Sequence, residues 1–355
     1  MEFGIYLSFE NPKEWELPLT EVCRESLYQV QLAEELGYDS VWLTEGHFDP
    51  DWFPSTFVLC GAIAERTTTI RFGQSVTILP LFNPVQVAEN AAVVDVLSGG
   101  RFSLGVGGGF AHEEFATFQI PRLERGARME EGLEILKGCL THPTFGYSGK
   151  YYQFEPIDFW PRPVQRPHPP IWAAAMVPKT ARRAARHGCH LDGSGDPELM
   201  RIYDETLVQN GYDPKDFGKA TFRMVHIADS REKAWAECAP HVRHKMAGYS
   251  EKYKILPDYE TGIFKGREGG AFGLDTIPSA TELAELALAG KVHFFGAPFL
   301  IGTVDDVIRE MEEAEQNGVT LMRLWMKFGG IDPKKTRNSM RTFAREILPL
   351  FRNRR

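Results

Sequence analysis

The stretch Tyr38-Asp39-Ser40-Val41-Trp42-Leu43-Thr44-Glu45-Gly46-His47-Phe48-Asp49 decides how the rest of the chain is read. Val41 and Leu43 alternate with Trp42 and Thr44, the period of a strand, and the segment follows a helical pattern closed by Gly37. In a parallel barrel, such a strand delivers Glu45 and His47 to the rim that carries catalysis. An acid beside an imidazole can hold and move protons. The competing reading is that both are rim residues satisfied by neighbouring loops.

On the N-terminal side, Phe3, Ile5 and Leu7 alternate with Gly4, Tyr6 and Ser8 as a first strand, and Cys23, Leu27, Val30 and Ala33 follow at helical spacing, with Thr20 placed to cap. On the C-terminal side a helix is expected from about Ser55 to Glu65, a strand within Ile70 to Leu79, and a helix opened by Asn83 and Pro84. Phe102, Leu104 and Val106 mark a fourth strand, and helical spacing returns from Arg125 to Leu140. The aromatic, Pro-rich passage Tyr147 to Pro170 reads as a hairpin or loop excursion. Strands at Ile171 to Ala175, Cys189 to Gly193 and Thr221 to Ala228 alternate with helices at Lys179 to His187, Pro197 to Asn210 and from Arg231. Between Met246 and Ile301 the pattern loosens, with one short helix at Ala280 to Ala289. A helix opened by Thr303 and Asp306 runs to Gly318, an eighth strand spans Leu321 to Met326, and Pro333 starts the last helix. This alternation predicts an α/β fold: a single (β/α)8 TIM barrel, one domain over residues 1–355, with an insertion after strand seven at 246–301 covering the active site.

Composition narrows the function. With 355 residues, 43% of them hydrophobic, the chain can bury a core, and a net charge of -8 argues against a nucleic-acid surface. The start has no positively charged leader, and no apolar run approaches the ~20 residues of a membrane helix, so the expected location is cytoplasmic, away from membranes. The five cysteines are scattered without metal or redox spacing and read as small buried hydrophobes. No metal site is expected: His241 and His244 read as a solvated helix face, as do Arg182, Arg183 and Arg186.

The run Gly105-Val106-Gly107-Gly108-Gly109-Phe110 departs from G-x-G-x-x-G, because Phe110 stands where the last glycine belongs. It reads as a strand end kept bare for a flat ligand, or as a tight turn. Arg122, Arg125 and Arg128 either hold a phosphate or pair with Glu124, Glu130 and Glu131. Met176 to Thr180, where a strand enters a helix, is a second candidate anion site.

Several motifs in order resemble the bacterial luciferase-like flavin-dependent monooxygenases: Phe3-Gly4, Val41 to Phe48, Ile78 to Glu89, Leu97 to Phe102, Arg128 to Glu131 and Phe328 to Ile331. The resemblance implies a (β/α)8 barrel that takes FMNH2 from a separate flavin reductase. Through a C4a-(hydro)peroxyflavin formed with O2, it would oxygenate a small substrate; aromatic residues in the insertion suggest an apolar or aromatic one. By position it assigns phosphate contacts to Arg128, the Val177 amide and Thr180, places a non-proline cis peptide at Ser75-Val76, and puts Gly107 near the ring's reactive edge. His47 would handle protons, with Glu45 positioning it or the flavin. Two departures stand out: Gly46 replaces the first of two adjacent histidines of the luciferases, and Gly108 replaces a second phosphate-binding arginine. A deazaflavin (F420)-dependent hydride transfer and a non-catalytic flavin-binding protein are the alternatives, and a homodimer is implied.

Overall fold

The computed structural model describes residues 1–254, 272, 274 and 276–352. In β1 (Glu2–Leu7) the alternation sends Phe3, Ile5 and Leu7 outward into the layer beneath the helices and Tyr6 inward among the rings of the barrel interior. The same division continues around the sheet. In β2 (Ser40–Leu43), Val41 and Leu43 face out while Trp42 faces in. Strands buried on both faces are what a helix-wrapped parallel sheet requires.

The remaining barrel strands are β3 (Arg71–Gln74), β5 (Phe102–Gly107), β8 (Ile171–Ala175), β9 (His190–Gly193), β10 (Lys219–Ile227) and β12 (Leu321–Trp325), with β4 (Thr77–Ile78) continuing β3 alongside β5. Each pairs in parallel with the next, and β12 closes the ring on β1 with Phe3 opposite Met322. The (β/α)8 expectation holds. The outer layer is completed by α1 (Leu19–Glu35), α2 (Thr56–Arg66), α3 (Pro84–Leu97), α4 (His112–Thr117), α5 (Arg125–Thr141), α6 (Pro178–Arg186) and α7 (Pro197–Gln209). It continues through α8 (Arg231–Lys254), α9 (Ala280–Leu288), α10 (Val304–Gln316), α11 (Pro333–Glu346) and α12 (Leu348–Arg352).

One seam of the wall is different. β9 meets β10 at Leu191–Lys219 and Asp192–Ala220, while the upper part of β10, from Val225 to Ile227, pairs instead with β11 (Leu300–Gly302). The wall is joined at its base and opens toward the C-terminal rim.

Several local expectations change. α1 begins at Leu19 behind Pro18, so Thr20 lies within the first turn and does not cap it. The excursion is an antiparallel hairpin, β6 (Thr144–Ser148) with β7 (Gln153–Asp158), starting three residues before Tyr147. The segment expected to loosen at Met246 is instead the end of α8, which runs through Gly248 to Lys254. α9 is capped by Ser279 and Glu282, and β11 is a strand the reading missed; residues 255–271, 273 and 275 lie outside the described residues. Of the cysteines, Cys60, Cys139, Cys189 and Cys238 are buried and Cys23 is half-buried.

Candidate active site

The C-terminal ends of β2, β3, β5 and β8 enclose a cavity of about 300 Å3. Glu45, Ser75, Val76, Gly107, Val177 and Thr180 all line it, so six of the eight expected site residues converge. Tyr6, Trp52, Phe222, Tyr249 and Phe295 supply apolar walls.

Glu45 is held on both oxygens: the Thr56 hydroxyl donates to Oε2 at 2.9 Å and the Ile78 amide to Oε1 at 3.0 Å. Those two bonds aim its carboxyl group across the mouth of β2. His47 is placed differently from the expectation. It does not line the cavity; its ring packs edge-on to Phe118 at 4.9 Å, with Phe48 and Phe82 beside it. The Glu114 carboxylate accepts its backbone N–H at 2.9 Å, and the imidazole sits behind Glu45, with Nε2 3.7 Å from Glu45 Oε1. Gly46 faces the cavity instead, and a Cβ there would lie 2.6 Å from Cβ of Trp52, whose side chain occupies that space.

The Ser75-Val76 peptide is cis, as the resemblance places it. Ser75 Oγ donates to Asp192 Oδ2 at 2.8 Å and accepts from Arg323 Nη1 at 2.7 Å, while the Tyr6 hydroxyl donates to the Ser75 carbonyl at 3.2 Å. Burial raises the Tyr6 phenol well above its ordinary pKa, so it stays a donor. Arg323, fully buried, also contacts Asp192 at 2.5 Å and lies 3.8 Å over the Trp42 ring and 5.3 Å from that of Trp172. Reading the sequence missed this cluster. The signal was there: a charge in the middle of Leu-Met-Arg-Leu-Trp has to point inward and find a partner.

The glycine run is mostly a packing feature. A Cβ on Gly105 would strike the Gln74 carbonyl, one on Gly107 would lie 2.4 Å from Val76 Cγ2, and one on Gly109, at φ +66°, would lie 2.5 Å from Ile78 Cγ2. Gly108 alone faces open space, with nothing within 4 Å.

At the start of α6 the Val177 amide donates to Thr180 Oγ1 at 3.3 Å, and that hydroxyl donates back to the Val177 carbonyl at 2.9 Å. Backbone amides at such a helix start favour an anion. Arg128 lies outside the cavity lining, paired with Glu124 at 2.9 Å and stacked 4.8 Å over Tyr151. Of the residues read as solvated, Arg182 and Arg186 are exposed, whereas Arg183, His241 and His244 are buried or half-buried on partners. Arg183 is buried on Glu130 at 2.8 Å, a carboxylate that Arg186 also contacts. His241 bonds the Gly329 carbonyl, and His244 pairs with Asp51 at 2.9 Å. These pairings anchor α6 and α8 on their neighbours. No group of acids, histidines and cysteines could hold a metal ion among the described residues, and no described helix is long and apolar enough to cross a membrane.

A rim acid, a helix start facing the same cavity and an aromatic enclosure are a ligand site on a known kind of barrel. The sequence profile of the luciferase-like monooxygenases matches residues 1–321. The chain belongs to that family. Over 99% of its length it is 23% identical to the oxygenase component of the flavin-dependent trigonelline monooxygenase of Acinetobacter baylyi, covering 96% of that protein. Two solved structures share the fold. The oxygenating constituent of 3,6-diketocamphane monooxygenase from Pseudomonas putida, in complex with FMN, aligns with a TM-score of 0.76 at 19% identity, covering 98% of each chain. An F420-dependent secondary alcohol dehydrogenase aligns with a TM-score of 0.73 at 18% identity, again covering 98% of each chain. An oxidoreductase with a flavin-type cofactor is the common ground of these luciferase-like relatives.

Proposed function

We propose that the chain is the oxygenase component of a two-component system in the cytoplasm, using FMNH2 from a separate flavin reductase and O2 to oxygenate a small apolar or aromatic substrate. The observation that carries this reading is one cavity bounded by the Glu45 carboxylate, the bare end of β5 and the start of α6. These residues suit a flavin: the Val177 amide and Thr180 hydroxyl would hold the phosphate, and Ser75, Val76 and Gly107 would flank the ring. Arg128 would join them on leaving Glu124. Reduced FMN supplies the electrons with which O2 is activated. The protein's share is to orient it and keep water out, which falls to Trp52, Phe222, Tyr249 and Phe295. Glu45 and His47 act as a pair, the carboxylate facing the cavity and the imidazole behind it, so that a proton held at Glu45 Oε1 has a second site 3.7 Å away. A homodimer would cover exposed apolar side chains on the early helices, Val58 of α2 and Val93, Val96 and Leu97 of α3.

Anaerobic titration with FMNH2 and, separately, reduced F420 tests the cofactor. Tight FMNH2 binding, followed on mixing with O2 by flavin oxidation that an added substrate diverts from hydrogen peroxide to oxygenated product, supports the reading. Binding of F420 alone would replace it with hydride transfer. His47→Ala should leave FMNH2 affinity unchanged and release more peroxide per flavin oxidised; unchanged coupling removes His47 from the pair.

A further inference from the structure

The open seam between β9 and β10 leads into a second cleft of about 400 Å3, bounded by Met176, the Ser194 to Ile202 turn into α7, Phe295 to Pro298, and the end of α10. Met176 and Phe295 also line the active-site cavity, so the two spaces adjoin through the split wall. Phe295 holds a positive φ of 53° at this junction.

Arg223, on the outward face of β10, lines this cleft. Its Nη1 donates to the Thr221 hydroxyl and the Phe222 carbonyl at 2.7 Å each, and to the Ser194 carbonyl at 3.3 Å. Nε and Nη2 have no hydrogen-bond partner among the described residues, and no carboxylate there reaches ion-pair distance. This sets Arg223 apart from Arg128, Arg183, Arg201 and Arg323, each of which is paired with an acid. Burial pulls its guanidinium down to about 10, with Glu310 the nearest compensating charge. Arg223 is half-buried, and this unmatched edge faces the open cleft, where a ligand with two coplanar acceptors can complete it. Gly195, at φ +81°, keeps that edge accessible, since a Cβ there would lie 3.2 Å from Nη2.

We propose that this cleft is the outer half of the substrate site and that Arg223 binds a carboxylate carried by the substrate, whose oxidisable end reaches the inner cavity. The proposal rests on the monooxygenase reading for what happens in the inner cavity, but not for the binding itself. A carboxylate presents two coplanar oxygens that match the Nε and Nη2 edge. A phosphate would carry more negative charge into a cleft already lined by Asp196, Glu198 and Glu313. The substrate class is therefore an apolar or aromatic acid whose chain links the two spaces.

The test is calorimetric titration of the flavin-free protein with ω-phenylalkanoic acids of increasing chain length, the matching alcohols and the matching phosphates. At the best chain length the acid should bind about tenfold or more tightly than its alcohol, Arg223→Met should erase that preference, and Arg223→Lys should retain part of it. Equal affinity of acid and alcohol in the wild type overturns the proposal without any variant, as does a preference that survives in Arg223→Met. Tighter binding of the phosphate overturns the carboxylate assignment. FMN affinity should be unchanged in Arg223→Met; a loss would give Arg223 to the cofactor. Failure of the FMNH2 titration with the acid preference intact would sink the monooxygenase reading and leave this site standing.

Discussion

Arg323 and Lys245 are both fully buried cations laid against pairs of indole rings, and they do opposite things. Arg323 belongs to a strand. Stacked on Trp42 and Trp172, it bonds Asp192 and Ser75 through one nitrogen, so β12, β9 and the end of β3 are set relative to one another. Lys245 belongs to a helix. Its ammonium lies 5.1 Å from the Trp52 ring and 5.2 Å from that of Trp325, contacts Glu10, and reaches Asp51 Oδ2 at 3.4 Å. It fastens α8, and with it Tyr249, to the loops that follow β1 and β2. A planar fork suits the fixed floor, and a point charge on a flexible stem suits a helix held over the mouth.

Three substitutions probe that contrast. Arg323→Met leaves Asp192 buried without its cation and should destabilise by about 3–5 kcal/mol in urea unfolding, with FMN binding lost alongside. A loss below about 1 kcal/mol would mean that the floor does not depend on the cluster. Lys245→Met should cost less, about 1–3 kcal/mol, because burial already raises the Glu10 carboxyl and it can take up a proton when its partner is gone. A raised folded pKa makes an acid's penalty grow as pH rises through that value, so this deficit should shrink on acidification. A deficit that grows at low pH would contradict the account. His244→Gln should have the smallest effect, about 0.5–1.5 kcal/mol. The hydrogen bond that His244 donates to the Asp51 carboxylate raises its pKa above the ordinary 6.5, so the stability it adds is complete below that pH and fades as pH climbs through the raised value. The gap between wild type and variant should therefore narrow in alkaline melts; a gap that widens would assign the pair a different role.

What could be read in advance followed from periodicity. Phe3, Ile5 and Leu7, Val41 and Leu43, and Phe102, Leu104 and Val106 alternate because one face of each strand packs under the helices while the other meets the barrel interior, and that pattern is local. His47 was legible as a rim residue but not in its surroundings, since its amide goes to Glu114 of α4, 67 positions away, and its ring packs on Phe118. For Arg323 the inward direction was legible but the partners were not, since Asp192 and Ser75 come from distant strands. β11 has three residues, too few for a period to register. The glycines flanking Val106 invited a ligand-based explanation, whereas Gly105, Gly107 and Gly109 answer to Gln74, Val76 and Ile78 pressing on the strand.

The packing of Gly46 against Trp52 also fixes the order in which this rim can change. A histidine introduced at position 46 would meet Cβ and Cγ of Trp52 at 2.6 and 2.7 Å, and Cβ, fixed by the backbone, is a contact that no rotamer change withdraws. The paired-histidine arrangement of the luciferases is therefore two steps away from this chain, and the indole must be replaced first: taken in the other order, the intermediate carries a steric clash in the wall of its own active site.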